Sequence, residues 1–226
     1  MLKKLKIDKV LDFFKKFKSK EPEADPLPPK EEFDKTYLID KSKFQLPHEE
    51  MKHLDYDMYL RLGTTITETD PNKDKTLLFL DDQDMVKVLY DSDINKIKRE
   101  YNVDITDELN IVNIFGQHAG YIGYRYIYLY KNKIDYAILD ITLGEVVRLP
   151  NGELIELDGI DIAGVIKELN PNAKIKFCTA HTLDMSSNII RDCSYKIEEV
   201  LGVEFDKVYM HKNSNRHNVI YEMIYK

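Results

Sequence analysis

From residue 76 onward, short apolar segments alternate with longer stretches of helical periodicity. The apolar segments are dense in Ile, Leu, Val, Phe and Tyr, as buried parallel strands are. They predict strands at Thr76–Leu80, Leu109–Phe115, Tyr136–Leu139, Lys174–Cys178 and Lys207–Met210. The intervening stretches predict helices near 84–100, 121–131, 160–169, 183–200 and 215–225. Five strands alternating with five helices predict an α/β domain over residues 73–226, built on a doubly wound, five-stranded parallel sheet.

The first twenty residues have a different pattern. Apolar side chains recur there at helical spacing, with Lys on the other faces, which predicts a basic amphipathic helix over residues 2–18. The apolar positions are Ile7, Val10, Leu11, Phe14 and Phe17. Such a helix can lie on an anionic membrane surface, dock in the groove of a partner or sister subunit, or fold against its own domain. These three possibilities stay open at the level of sequence, and the second includes a homodimer.

Residues 21–72 separate this segment from the α/β domain. Four prolines within 21–31 predict an extended linker, and residues 47–62 predict a further short helix that Gly63 ends. The polar segment from Thr64 to Lys75 is expected to be a second connection. Residues 21–72 are therefore predicted to form a Pro-containing linker with a short helical extension.

Charge and composition limit the function classes. Residues 1–20 hold eight Lys and two Asp (Asp8 and Asp12), a local charge of +6. Because the whole chain has a net charge of −7, residues 21–226 carry −13. Such an acidic body argues against binding to nucleic acid. No apolar run is long enough to span a bilayer, and the N-terminus lacks the features of a secretory signal. Two cysteines predict neither a disulfide framework nor a zinc site, so we expect a cytoplasmic protein, with a peripheral position at the membrane as the alternative.

Polar side chains follow the predicted strands at the edge where ligands bind in open α/β sheets. Asp81 and Asp82 follow the first strand, Asp140 the third, Thr179 the fourth and Lys212 the fifth. Taken singly, each has an ordinary explanation, such as a helix cap or a solvated lysine. Together, three crowded acids need a cation, and oxygen ligands of this kind select Mg²⁺. The hydroxyl and amine could then bind a phosphoryl group transferred to an aspartate.

This arrangement resembles the receiver domains of two-component response regulators, including chemotaxis regulators. The resemblance covers about residues 75–225 and keeps the family's order of acidic pair, acceptor Asp, Thr before a small residue, and Lys. It implies a flavodoxin-like fold, phosphorylation by a histidine kinase or phosphotransfer protein, and signalling to an unknown protein target through conformational switching. Such a protein is a phosphoacceptor rather than an enzyme with a separate substrate. Asp158-Gly159 also resembles the family's helix start.

The resemblance assigns a role to each site residue. Asp140 is implied as the acceptor, and Thr179 and Lys212 as contacts of the phosphoryl group. The implied metal ligands are Asp81, Asp82, Asp140 and the backbone carbonyl of Thr142. Tyr209, three residues before Lys212, matches the switch aromatic that moves together with Thr179.

The chain also departs from the family pattern. Asn213 stands where receivers commonly have Pro, so a cis peptide is not expected there. The loop between Asp140 and Asp158 is long, and its Asn-Gly pair predicts a β-hairpin insertion at Gly144–Leu157. Two alternative functions remain: a pseudo-receiver that binds partners without phosphorylation, and an aspartate-dependent phosphohydrolase. The second fits poorly, because such enzymes place the nucleophile on the first strand.

Overall fold

A computed structural model describes residues 63–129, 134–143, 145–148, 154–179, 188–212 and 215–226. The predicted helices at 2–18 and 47–62, the Pro-rich linker and the tip of the hairpin lie outside these residues. In the described part, no helix has the length and apolar character needed to cross a bilayer.

The described chain forms an α/β fold. The strands are β1 (Thr64–Glu68), β2 (Lys75–Asp81), β3 (Leu109–Gly116), β4 (Ile134–Leu139), β5 (Glu145–Arg148), β6 (Leu154–Leu157), β7 (Lys174–Thr179) and β8 (Tyr209–His211). The helices are α1 (Val86–Tyr101), α2 (Ile105–Glu108), α3 (Ala119–Leu129), α4 (Gly159–Leu169), α5 (Asn188–Leu201), α6 (Phe205–Val208) and α7 (Arg216–Tyr225).

Six strands form the main sheet, in the order β1-β3-β2-β4-β7-β8. The five predicted parallel strands are all present, and without β1 their order is the 2-1-3-4-5 order of flavodoxin-like folds. The predicted count of five strands was wrong, because β1 pairs antiparallel with β3 at the sheet edge. β1 lies in the segment that we expected to be a connection, so the sheet begins at Thr64.

Apolar side chains alternate between the two faces of the sheet and build a core on each. Leu77 and Phe79 of β2 pack with α1 and α7, while Leu78 and Leu80 pack under α3, α4 and α5. All four are fully buried, as expected for a strand covered on both faces. The fold therefore has three layers, with helices on both sides of the sheet.

The insertion after β4 is a β-hairpin, as predicted. β5 and β6 pair antiparallel, with Glu145 opposite Leu157 and Arg148 opposite Leu154. Leu143 and Leu157 at its base are buried in the core. The hairpin is therefore anchored at its base and forms a separate two-stranded sheet.

Candidate functional site

Two neighbouring strands bring the three acids together. Asp81 is the last residue of β2, Asp82 follows it, and Asp140 follows β4 directly. The backbone N–H of Asp140 donates to the Leu80 carbonyl at 2.8 Å, which fixes the acid beside the end of β2. One carboxylate oxygen from each acid lies within 4.8 Å of the other two. β2 and β4 flank the topological switch point of the sheet, where open α/β folds bind their ligands.

Lys212 joins the cluster from the loop after β8. Its Nζ lies 2.8 Å from Asp81 Oδ2 and donates to Asp140 Oδ2 at 2.8 Å. The side chain is buried, and its own backbone N–H donates to the Thr179 carbonyl at 2.9 Å. One ammonium therefore bridges two of the three carboxylates.

The buried charges of the cluster are incompletely balanced. Burial, followed by the charge of Asp140, raises the pKa of Asp81 to about 7, although Lys212 opposes this rise. Burial also raises the pKa of Asp140, against the hydrogen bond and charge of Lys212. For Lys212, burial disfavours the ammonium, but its two carboxylate partners raise the pKa. Near neutral pH, the cluster thus retains a proton on Asp81 or requires a further cation.

The donor set of the cluster fits a hard divalent cation. Asp82 Oδ1 and Asp140 Oδ1 are buried and accept no hydrogen bond within the described part of the chain. A buried carboxylate oxygen without a partner is costly, and a cation in contact with it would remove that cost. Because Mg²⁺ prefers carboxylate oxygens, the group of Asp81, Asp82 and Asp140 could bind this ion.

Thr179 and Thr142 lie beside the acids, and Tyr209 lies on β8, three residues before Lys212. Thr179 ends β7 and is buried, in register with His211 of β8. Thr142 is exposed, and its backbone N–H acts against the rise in the pKa of Asp140. Tyr209 begins β8 and is half-buried, with its ring 5.2 Å from that of Phe205. Its place between the sheet edge and α6 is compatible with a moving side chain and with a fixed one.

The Asp-Gly pair singled out from the sequence begins α4. The Asp158 carboxylate accepts from the N–H groups of Ile160 and Asp161, while Asp161 accepts from the N–H of Asp158. A Cβ at Gly159 would lie 1.9 Å from the Asp140 carbonyl oxygen. Glycine is therefore required where the helix start packs against the backbone of the proposed acceptor.

A buried ion pair behind Lys212 was not predicted from the sequence. Arg216 Nε donates to Asp93 Oδ2 at 2.7 Å, and its guanidinium lies 5.6 Å from the centre of the Tyr90 ring. Another guanidinium N–H donates to the Lys212 carbonyl. This arrangement links α1 and α7 to the loop that presents Lys212. The pairing joins residues 123 positions apart, and no local pattern could have revealed it.

A second buried charge group connects α4 and α5. Lys196 Nζ contacts Asp158 Oδ2 at 2.7 Å and Asp161 Oδ1 at 2.8 Å. The helix start under Asp140 is thereby joined to α5. The sequence indicated the capping role of Asp158 but not its lysine partner.

No protein-family model and no curated protein matches this chain. A fusion protein carrying a trimeric coiled coil of yeast Spc42 is 19% identical, with a TM-score of 0.42, over 69% of this chain and 77% of that one. A CheX–CheY–BeF₃–Mg²⁺ complex from Borrelia burgdorferi is 20% identical, with a TM-score of 0.36, over 66% and 86%. Structural similarity this low does not indicate a function, so the function is inferred from the residues of the site.

Proposed function

We propose that the chain is a phosphoacceptor of the receiver type, in which Asp140 takes a phosphoryl group from a histidine kinase or phosphotransfer protein. The observation that carries the proposal is the contact of one buried lysine with two of three converging acids. Lys212 bridges Asp81 and Asp140 at the switch point of the sheet, and Asp82 completes the cluster. In such a protein, the phosphorylated form would signal through contact with a protein target.

The chemistry requires an ionised Asp140. Its carboxylate oxygen would attack the phosphorus of a phosphohistidine, forming an O–P bond while the P–N bond breaks. The imidazole leaves with the electron pair of that bond and takes a proton from water. Lys212 favours the ionised acid and would stay beside the added phosphoryl oxygens, to which the Thr179 hydroxyl could donate.

Asp81, Asp82 and Asp140 are the residues that would hold Mg²⁺, with the Thr142 carbonyl as the fourth ligand expected from the resemblance. When bound, the ion would supply positive charge against the oxygens of the transferring group. The unpartnered carboxylate oxygens of Asp82 and Asp140 support this assignment.

Phosphorylation from a small donor tests the proposal. The intact chain is incubated with radiolabelled acetyl phosphate, with and without Mg²⁺, and bound label is counted. We expect uptake only with Mg²⁺, and none in Asp140→Asn, because an amide is not a nucleophile. The matched control is Asp135→Asn on β4. Asp135 lies near the opposite end of this strand and accepts from the Thr76 N–H, which an amide oxygen can still do.

The outcomes separate the competing functions. Full labelling of Asp140→Asn would contradict the assignment of the acceptor. A wild-type chain that folds but takes up no label would instead be a pseudo-receiver, acting as a binding module. Steady release of phosphate from many substrate equivalents would indicate a phosphohydrolase.

A further inference from the structure

An apolar face of α1 is exposed next to the acidic cluster. The large apolar side chains that the structure describes as exposed are Met85, Val88, Leu89 and Val203. The first three lie at helical spacing on one face, and Met85 and Val88 are 86% and 71% exposed. Clustered exposure of this kind is typical of interaction surfaces.

Acidic side chains border this face, which we call the α1 patch (Met85, Val88 and Leu89). Asp84 precedes Met85 directly, Asp91 lies two residues after Leu89, and both acids are exposed. The buried Asp81 and the half-buried Asp82 lie just before Asp84 in the chain. A partner that fits the patch should therefore present apolar side chains flanked by positive charge.

The chain enters the sheet beside this patch. β1 runs antiparallel to β3, so Thr64 pairs with Gly116 at the same sheet edge as the acids. A Cβ placed on Gly116 would meet the Gly63 carbonyl oxygen at 2.1 Å and Asp84 Oδ1 at 3.0 Å. Gly63 and Asp84 are therefore neighbours. The His118 N–H donates to Thr64 Oγ1 at 3.0 Å, which holds this corner in place.

The first twenty residues have the complementary composition. They carry eight Lys and two Asp, with Ile7, Val10, Leu11, Phe14 and Phe17 at helical spacing. Residues 21–62 are long enough to return this segment to α1, because residues 21–46 alone can extend over roughly 85 Å. A tether of this kind gives an effective concentration on the order of 1 mM, which favours a site on the same chain over one on another molecule.

We propose that residues 1–20 dock in cis on the α1 patch. Their apolar side chains would cover Met85, Val88 and Leu89, and their lysines would face Asp84 and Asp91.

Cross-linking of the intact chain tests the docking without any phosphodonor. Unlabelled and ¹⁵N-labelled chains are mixed equally and treated with a carbodiimide, which joins amines to carboxylates at contact distance. Mass spectrometry then identifies the linked peptides. We expect links from the lysines of residues 1–20 to Asp84 or Asp91, with both peptides carrying the same isotope.

Two variants define the surface. Met85→Ser with Val88→Ser should reduce these links at least about fivefold, because apolar burial is removed while both acids remain. Val203→Ser removes an exposed apolar side chain elsewhere and should leave the links unchanged. Circular dichroism checks that all variants fold.

Several results would overturn the proposal. Mixed-isotope links would assign the segment to a second copy of the chain. Links that survive the double substitution would show that the patch is not the docking surface. If links to α1 are missing while the chain sediments with vesicles of phosphatidylserine and phosphatidylcholine, the segment is a membrane anchor. Labelling of Asp140 is measured separately, so failure here is distinguishable from failure of the proposed function.

Discussion

At the level of single residues, the position of Asp140 depends on a glycine nineteen residues later. Gly159 donates its N–H to the Ile141 carbonyl at 2.9 Å, and the start of α4 thereby packs against the backbone of the acid. The place of a Cβ is taken by the Asp140 carbonyl oxygen. Backbone atoms cannot move aside as a flexible side chain can, so any larger residue must displace Asp140 or the helix.

Gly159→Ala should therefore damage the site as well as the stability. We expect a loss of about 1–3 kcal/mol in the free energy of unfolding, because of overpacking, and slower labelling from acetyl phosphate. Gly123→Ala is the control, since its Cβ would meet the Leu80 side chain instead. The control should lose similar stability but be labelled normally once folded. Equal labelling rates for both variants would show that Gly159 serves packing alone.

Asp161 is a second residue whose surroundings have a measurable consequence. Burial, followed by the charge of Asp158, raises its pKa to about 8, although Lys196 acts in the opposite direction. The folded protein therefore binds a proton on Asp161 that the unfolded chain releases near pH 4. Stability must fall as the pH rises through this interval.

Asp161→Asn should remove this pH dependence. Between pH 5 and pH 8, the wild type should lose stability relative to the variant, by at most about 1.4 kcal/mol per pH unit. Urea unfolding at several pH values measures the difference. Asp104→Asn is the control, because Lys98 and Thr106 lower the pKa of Asp104 to about 2, which places its contribution below this window. A constant difference between wild type and Asp161→Asn would contradict the prediction.

At the level of elements, buried strands were predictable and the edge strand was not. The five parallel strands are rich in apolar residues, and the structure places them within about two residues of the prediction. β1 reads Thr-Thr-Ile-Thr-Glu and is held largely by polar contacts, such as Glu68 with the Tyr126 hydroxyl at 2.6 Å. Thr67 likewise accepts from Asn113 at 3.0 Å. Partners of this kind are distant in sequence, so a local pattern cannot indicate them.

The hairpin is the element with the most specific expected role. It leaves the core at Leu143 and returns at Leu157, between Asp140 and the helix start that supports it. This placement keeps it at the sheet edge that holds the acid cluster, where it would restrict access to the proposed acceptor.

Replacement of residues 145–156 by a short Gly linker should spare the fold, because both basal leucines remain. We expect a changed preference among histidine kinases or a changed dephosphorylation rate. The measurements are transfer from a panel of purified kinases and the decay of labelled protein. The control is a chain in which the Asn151-Gly152 turn alone becomes Gly-Gly. If transfer and decay match the wild type, the hairpin has no role at the site.

At the level of the whole molecule, the order of residues in the sequence predicted which side chains form the site. It did not predict the contacts that connect this site to the surrounding helices. Asp81, Asp82, Asp140 and Lys212 converge because parallel strands end at one edge. The links that spread outward from them, through Arg216 to Asp93 and through the Asp158-Gly159 helix start to Lys196, depend on helix packing. In the proposed function, contacts of this second kind would carry a signal from Asp140.

The shortest route to a distant surface runs through Thr179 and Lys212 into β8. Lys212 contacts Asp140 with its side chain and Thr179 with its backbone, so a change at the acid alters the junction of β7 and β8. Tyr209 is half-buried on β8, and its ring packs against that of Phe205. A phosphoryl group adds charge and acceptor oxygens at Asp140, which would draw the Thr179 hydroxyl inward and open space behind it.

Beryllofluoride, a mimic of the phosphoryl group, should therefore bias a pre-existing equilibrium between two positions of Tyr209. With Mg²⁺ and beryllofluoride, amide NMR signals should shift at Asp140, Thr179 and Tyr209, and across residues 205–225. Asp140→Asn is the control and should show none of these shifts, because the mimic needs the carboxylate. Shifts confined to the acid cluster, with none at Tyr209 or beyond, would show that Tyr209 is a fixed core aromatic. The signal would then leave the site by another route, for which the ion pairs of Lys196 between α4 and α5 are the next contacts to probe.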